Sequence, residues 1–338
     1  MNWRGSFILL AAGLLVSCAG GPRPVAPVPV SARVWPSPPD APRIVFRRFL
    51  RGPEDIGERA SFFGTIGNWL TGDHGESRRL RKPFGLALDE TGNLCITDTD
   101  ANLLCYCDFT RHRWTRYTGV GEYQFASPVA VARRQGVFYV ADSRLGRVLA
   151  FTDARRLVFA LGAPLQRPVG VALAGGRLYV LDALAQAVLV YGLDGKYQFR
   201  FGMRGTGPGE FNYPTGIADG GPGRLLVSDT LNSRVQVFDL QGKFLSQFGS
   251  NGDTSGHFAR PKGVAVDAVG HIYVVDAVFD NFQIFDATGR LLLNVGESGS
   301  QPGSFALPGG IAIGADNRNY VADSFNHRVQ EFQYIGEP

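Results

Sequence analysis

An all-β fold, a six-bladed β-propeller of four-stranded antiparallel blades with its ring closed by an N-terminal strand, is predicted by three observations. The 338 residues include 44 glycines and 20 prolines against two methionines. That composition means many tight turns and little helix, because glycine supplies positive φ and proline fixes φ while removing a donor. A unit of roughly 40 to 50 residues repeats along the chain: YPTGIADGGPGRLLVSDTLNSRVQVFDLQGKFLSQFG, from Tyr213, aligns with RPKGVAVDAVGHIYVVDAVFDNFQIFDATGRLLLNVG, from Arg260. Each copy divides into four short apolar runs between turn signals, the pattern of one propeller blade.

The elements follow in chain order. Residues 1–18 begin with a short basic region and then an apolar run of roughly 12 residues, below the ~18 that span a bilayer, and read as an export signal. Leu15-Val16-Ser17-Cys18 resembles the bacterial lipobox, which implies that Cys18 is acylated and becomes the first residue after cleavage. Ala19 stands where an aspartate would retain such a lipoprotein in the inner membrane, so an outer-membrane anchor facing the periplasm or the exterior is expected. Residues 19–42 are dense in proline, which holds the backbone extended, and read as a tether. The propeller is expected over 43–338. RIVFRRFLRG, 43–52, looks like a stray copy of the fourth strand, and the last repeat stops after its third. The N-terminal segment is therefore expected to complete blade six and remove the exposed edge. Residues 53–80 form the longest irregular insertion, with Phe62, Phe63 and Trp69 at roughly helical spacing. It is expected on the face of the loops that follow each second strand.

The repeats align on Pro83, Pro128, Pro168, Pro214, Pro261 and Pro308, and on Asp98, Asp142, Asp182, Asp229, Asp276 and Asp323. P-x-G-V-A-V-D, Y-V-x-D and N-x-R-V-Q-V-F resemble the NHL repeat, and DSFNHRVQEF at 323–332 matches it almost letter for letter. The resemblance covers nearly all the chain from Arg43 onward and implies the propeller. Related propeller enzymes, such as peptide-amidating lyases and gluconolactonase-like hydrolases, gather metal-binding histidines or carboxylates at the channel. Here the inner-strand pairs expected to face the channel are glycine and alanine, from Gly85 and Ala87 to Gly310 and Ala312, and the five histidines fall at different phases of the repeat. No catalytic residue, metal ligand or cofactor is assigned. A metal-dependent lyase or lactone hydrolase acting at the loop face is the alternative. The repeat aspartates read as turn caps, with arginine as a partner.

Binding then falls to the faces. Leu184, Leu231, Val278 and Phe325 occupy equivalent loop tips and, with Phe62, Phe63 and Trp69, form the candidate binding surface. The opposite face gathers turn cations such as Arg133, Arg155, Lys196 and Lys243. A formal charge of +4 is too small to argue for nucleic acid. The expected partner is another envelope or secreted protein, or an envelope polymer, held by a monomeric propeller that meets the membrane through its lipid alone. In the repeat frame Cys95 stands in the column of Tyr139, Tyr179, Tyr273 and Tyr320, and Cys107 in that of Phe151, Phe238 and Phe285. If the columns face each other, a Cys95 to Cys107 disulfide follows. A slip of two residues gives Cys95 to Cys105, and free buried thiols are the other reading.

Overall fold

The structure, a computed structural model, describes residues 33–58 and 78–336. Blade one is built from Pro83–Leu88, Leu94–Asp98, Leu103–Asp108 and Arg113–Tyr117, paired in that order from the inside out. Four further four-stranded blades follow, with inner strands Pro128–Arg134, Pro168–Ala174, Gly216–Asp219 and Pro261–Val266. The inner strand of blade six is Ile311–Ile313. Inner strands touch in cyclic order, and that of blade six touches that of blade one, so the ring closes.

Closure uses the N-terminal strand, as expected. Ile44–Leu50 pairs antiparallel with Arg328–Tyr334 and supplies the outer strand of blade six. Val34–Trp35 then adds a fifth strand beyond it, so the end of the proline-rich segment belongs to the propeller and the compact unit begins at Arg33 rather than Arg43. Trp35 packs edge-on against Phe332, and Arg33 pairs with Glu297. These contacts hold the added strand in place, and the carbonyls of Trp35 and Arg33 accept the N–H groups of Arg43 and Phe46 at 2.7 and 2.9 Å, which would otherwise be unpaired at the edge.

Among the described residues the core divides into six clusters, one between each pair of adjacent blades. This follows from sheets standing radially: alternate side chains of every strand point to the preceding and the following blade. It also corrects half of the expectation for the channel: the first member of each pair, from Gly85 to Gly310, lines it as expected, but the alanine two residues on does not. Ala132, Ala172 and Ala265 are buried between blades rather than facing the axis. The glycine column also allows close approach of neighbouring inner strands. A Cβ on Gly216 would lie 2.1 Å from the Lys262 carbonyl oxygen, and one on Gly310 2.5 Å from that of Phe84. The Gly310 N–H donates to that Phe84 carbonyl at 2.7 Å, a backbone bond from the last blade to the first.

The expected disulfide is corrected by register. Cys95 lies opposite Tyr106, and Cys107 lies opposite Leu94. A one-residue offset sends a strand's side chains to the other face. Cys95 therefore points into the cluster between blades one and two, whereas Cys105 and Cys107 point into that between blades six and one. A β-sheet separates the thiols, which rules out Cys95 to Cys107 and Cys95 to Cys105 alike, and all three are free and buried. Burial raises each thiol's pKa, that of Cys105 to about 12.

Candidate functional site

One end of the ring is organised by the six repeat aspartates, all fully buried. Each closes the second strand of its blade and reaches the segment that enters the inner strand. Asp98 accepts the N–H groups of Arg81 and Lys82 at 2.6 and 3.0 Å and, from its own turn, that of Ala101 at 2.9 Å. Asp182 does the same with Gln166, Arg167 and Ala185. In blades four and six an arginine joins, Arg234 on Asp229 at 2.9 Å and Arg328 on Asp323 at 2.7 Å. Burial raises the Asp323 carboxyl's pKa and lowers that of the Arg328 guanidinium, opposed in each case by the charge of the other. The carboxylates thus fix loops, as capping predicts, and their oxygens are occupied.

The loops so fixed carry the tips. Leu184, Leu231, Val278 and Phe325 are all exposed, at equivalent positions on blades three to six. Blades one and two present the exposed Asp100 and Arg144 there instead. Met203 and Leu307, on connections entering blades four and six at the same end, are also exposed. Six of the eleven exposed large hydrophobic side chains among the described residues therefore share one face. Sequence reasoning missed Met203 and Leu307 because they lie in glycine-rich connections outside the repeated pattern.

The axial channel opens at the centre of this face, a cavity of about 80 Å³ walled by the inner strands. Its mouth is made by the residue that follows the first-strand proline of each repeat: Phe84, Val129, Val169, Thr215, Lys262 and Gly309. Lys262 is its one cation, and that column, too variable to read as a motif, concealed it. Burial holds Lys262 below the usual lysine range, and repulsion from Lys82 adds to this.

The described histidines stay apart. His112 binds the Ile56 carbonyl, His257 the Thr254 hydroxyl, His271 Asp267 and His327 the Arg81 carbonyl. No group of three or more histidine, cysteine, aspartate or glutamate residues that could hold a metal occurs among the described residues. On the opposite face Arg133 is not a free cation: it is drawn inward to Asp89 and also pairs with Asp153 at 2.8 Å.

Cys18, Phe62, Phe63 and Trp69 lie outside the described residues. The described ends of the insertion meet at the outer wall of blade one, not at the tips: Glu58 accepts the Trp114 N–H at 2.6 Å, and Arg78 donates to the Trp114 carbonyl at 3.2 Å. Pro53–Ile56 forms a short 3-10 turn whose Ile56, with Leu80, fills the cluster between blades six and one.

Fold and face together define a six-bladed β-propeller with exposed apolar side chains around one rim. The family described as a 6-bladed beta-propeller matches residues 163–220 and 217–280. No curated protein matches. Among solved structures, a streptogramin B lyase is 14% identical with a TM-score of 0.59, over 76% of this chain and 94% of that one. Virginiamycin B lyase from Staphylococcus aureus is 15% identical with a TM-score of 0.57, over 75% of this chain and 81% of that one. A protein of unknown function from Bacteroides thetaiotaomicron is 16% identical with a TM-score of 0.59, over 76% and 70%. At these identities the likeness is one of fold.

Proposed function

We propose that this chain is a lipid-anchored envelope protein, attached through Cys18 at the outer membrane, whose propeller binds another protein or an envelope polymer as a non-catalytic scaffold or assembly factor. The observation that carries the reading is the gathering of six exposed apolar side chains on one face, over four consecutive blades, around a channel walled, apart from Thr215 and Lys262, by backbone and small or apolar residues. A contiguous apolar rim of that kind is an interaction surface. The NHL-like repeats and the lipobox agree with it.

A lyase reading draws on the structural neighbours. A variant of the Staphylococcus aureus enzyme with one histidine replaced by alanine is catalytically inactive. In this chain the four described histidines each serve a local contact and none lines the channel. General acid–base work of the kind a histidine performs needs an imidazole free to meet a substrate, and none of the described histidines offers one, so scaffolding is the better account. A photo-crosslinker placed at Leu231 or Phe325 in the native envelope is expected to trap one discrete partner. The same probe at Val269, exposed in a turn between first and second strands at the other end, is expected to trap none. Equal trapping at both ends would overturn the assignment of the face.

A further inference from the structure

We propose that the channel mouth is a second, separate binding site, which takes a carboxylate carried on a narrow apolar group along the axis of the ring. Lys262 projects from the inner strand of blade five into a mouth whose other five residues are neutral. Its ammonium lies 5.2 Å from the centre of the Phe84 ring. It reaches that ring past Gly309 on the intervening blade, where a Cβ would already stand 3.2 Å from the same ring. The missing side chain leaves the notch through which the lysine and the aromatic face each other. Lys82, at the start of blade one's inner strand, sets its ammonium 4.8 Å from the Phe325 ring. One cation thus sits inside the mouth and one at its rim.

Neither lysine has a carboxylate within ion-pair distance among the described residues; their contacts are with aromatic rings. An aromatic face attracts a cation, yet it accepts none of the three N–H groups of an ammonium as an oxygen does. The carboxylate whose charge acts on Lys262 is Asp276, and its oxygens accept the N–H groups of Ala259, Arg260, Val278 and Phe279. A half-buried, mutually repelling pair of ammoniums is a poor arrangement for an empty protein and a good one for an anion. The anion's charge follows from where the cations stand: both ammoniums are at the mouth, so a single carboxylate is matched there, and a further charge carried along the channel would be unpaired against Val131, Ile217 and Val264. Its shape follows from the walls: backbone and side chains such as Leu86, Val131 and Ile217 line the channel, which suits an unbranched apolar chain behind the carboxylate. A free short-chain carboxylic acid and the C-terminus of a peptide both present this chemistry.

Calorimetric titration of the purified full-length protein at neutral pH, with hexanoate and hexanamide and with a short aliphatic peptide bearing a free or an amidated C-terminus, tests the proposal. Hexanoate or the free-acid peptide is expected to bind at least tenfold more tightly than its amide. Lys262→Met is expected to abolish that preference, Lys82→Met to weaken it about threefold, and Lys262→Arg to keep most of it. Tighter hexanoate identifies a free acid as the source, and a tighter free-acid peptide identifies a protein C-terminus. Binding that ignores the charge, survives Lys262→Met in a variant with unchanged circular dichroism, or is absent for both acids overturns the site. These titrations need no rim partner, so their failure leaves the scaffold reading standing, and the reverse also holds.

Discussion

Truncation of Phe46 to alanine probes ring closure through the strand that the sequence sends back to the last blade. Phe46 is 5% exposed. It lies opposite Phe332 in register, and its ring centroid is 4.9 Å from that of Phe49 and 5.8 Å from that of Phe332. Its cluster takes side chains from blades five and six, so the cavity would open where the two ends of the chain are joined. Removing a buried phenylalanine side chain costs about 3–5 kcal/mol. At about 2.1 cal/mol/K of unfolding entropy per residue, each kcal/mol corresponds to about 1.5–2 °C in a propeller of this size, so a fall of roughly 5–10 °C is expected in thermal unfolding followed by circular dichroism. Hydrogen exchange should show Arg328–Tyr334 losing protection before the other blades. Arg47→Ala, exposed on the same strand, is the control and should shift stability by no more than about 0.5 kcal/mol. If Phe46→Ala matched that control, the N-terminal strand would not be what holds the ring shut.

Asp323→Ala should lose about 3–5 kcal/mol in denaturant unfolding, because the Arg328 guanidinium, 8% exposed, would stay buried without its carboxylate; adding Arg328→Met should recover part of the loss. The three propeller thiols should resist alkylation at neutral pH in the native state and react after denaturation without reductant, because burial raises their pKa values and none is bridged. Mass spectrometry counts them, and one alkylatable thiol after denaturation would reinstate a disulfide. Lys262 has a lowered pKa when folded, so between that value and the ordinary lysine range the unfolded chain holds more protons and stability rises with pH. Lys262→Met should accordingly raise the melting temperature at neutral pH, and the gap should close as the pH approaches that range.

The prolines and aspartates made the blades legible in the sequence because both have fixed jobs at one end of every repeat. The missing fourth strand of the last copy likewise pointed to the N-terminal segment. Register was less legible. Aligning repeats puts like residues in columns but leaves open which columns face each other, and a single residue separated Cys95 and Cys107 onto opposite sides of the sheet. Val34–Trp35 was hidden by the prolines around it, which suppress a strand reading although two residues suffice to cover an edge. The candidate face was half visible: tips that recur in every repeat could be found by alignment. Met203, Leu307 and Lys262 occupy positions that vary from blade to blade, and only the ring brings them together.

The claim that the apolar rim holds the partner is tested most directly by making Leu184→Glu, Leu231→Glu, Val278→Glu and Phe325→Glu together, with Cys18 intact. Recovery of the partner trapped from the rim in native envelopes is then measured by quantitative mass spectrometry. The four side chains are exposed, so unchanged folding and at least a tenfold loss of that partner are expected. Full recovery of the partner by a folded quadruple variant would contradict the account.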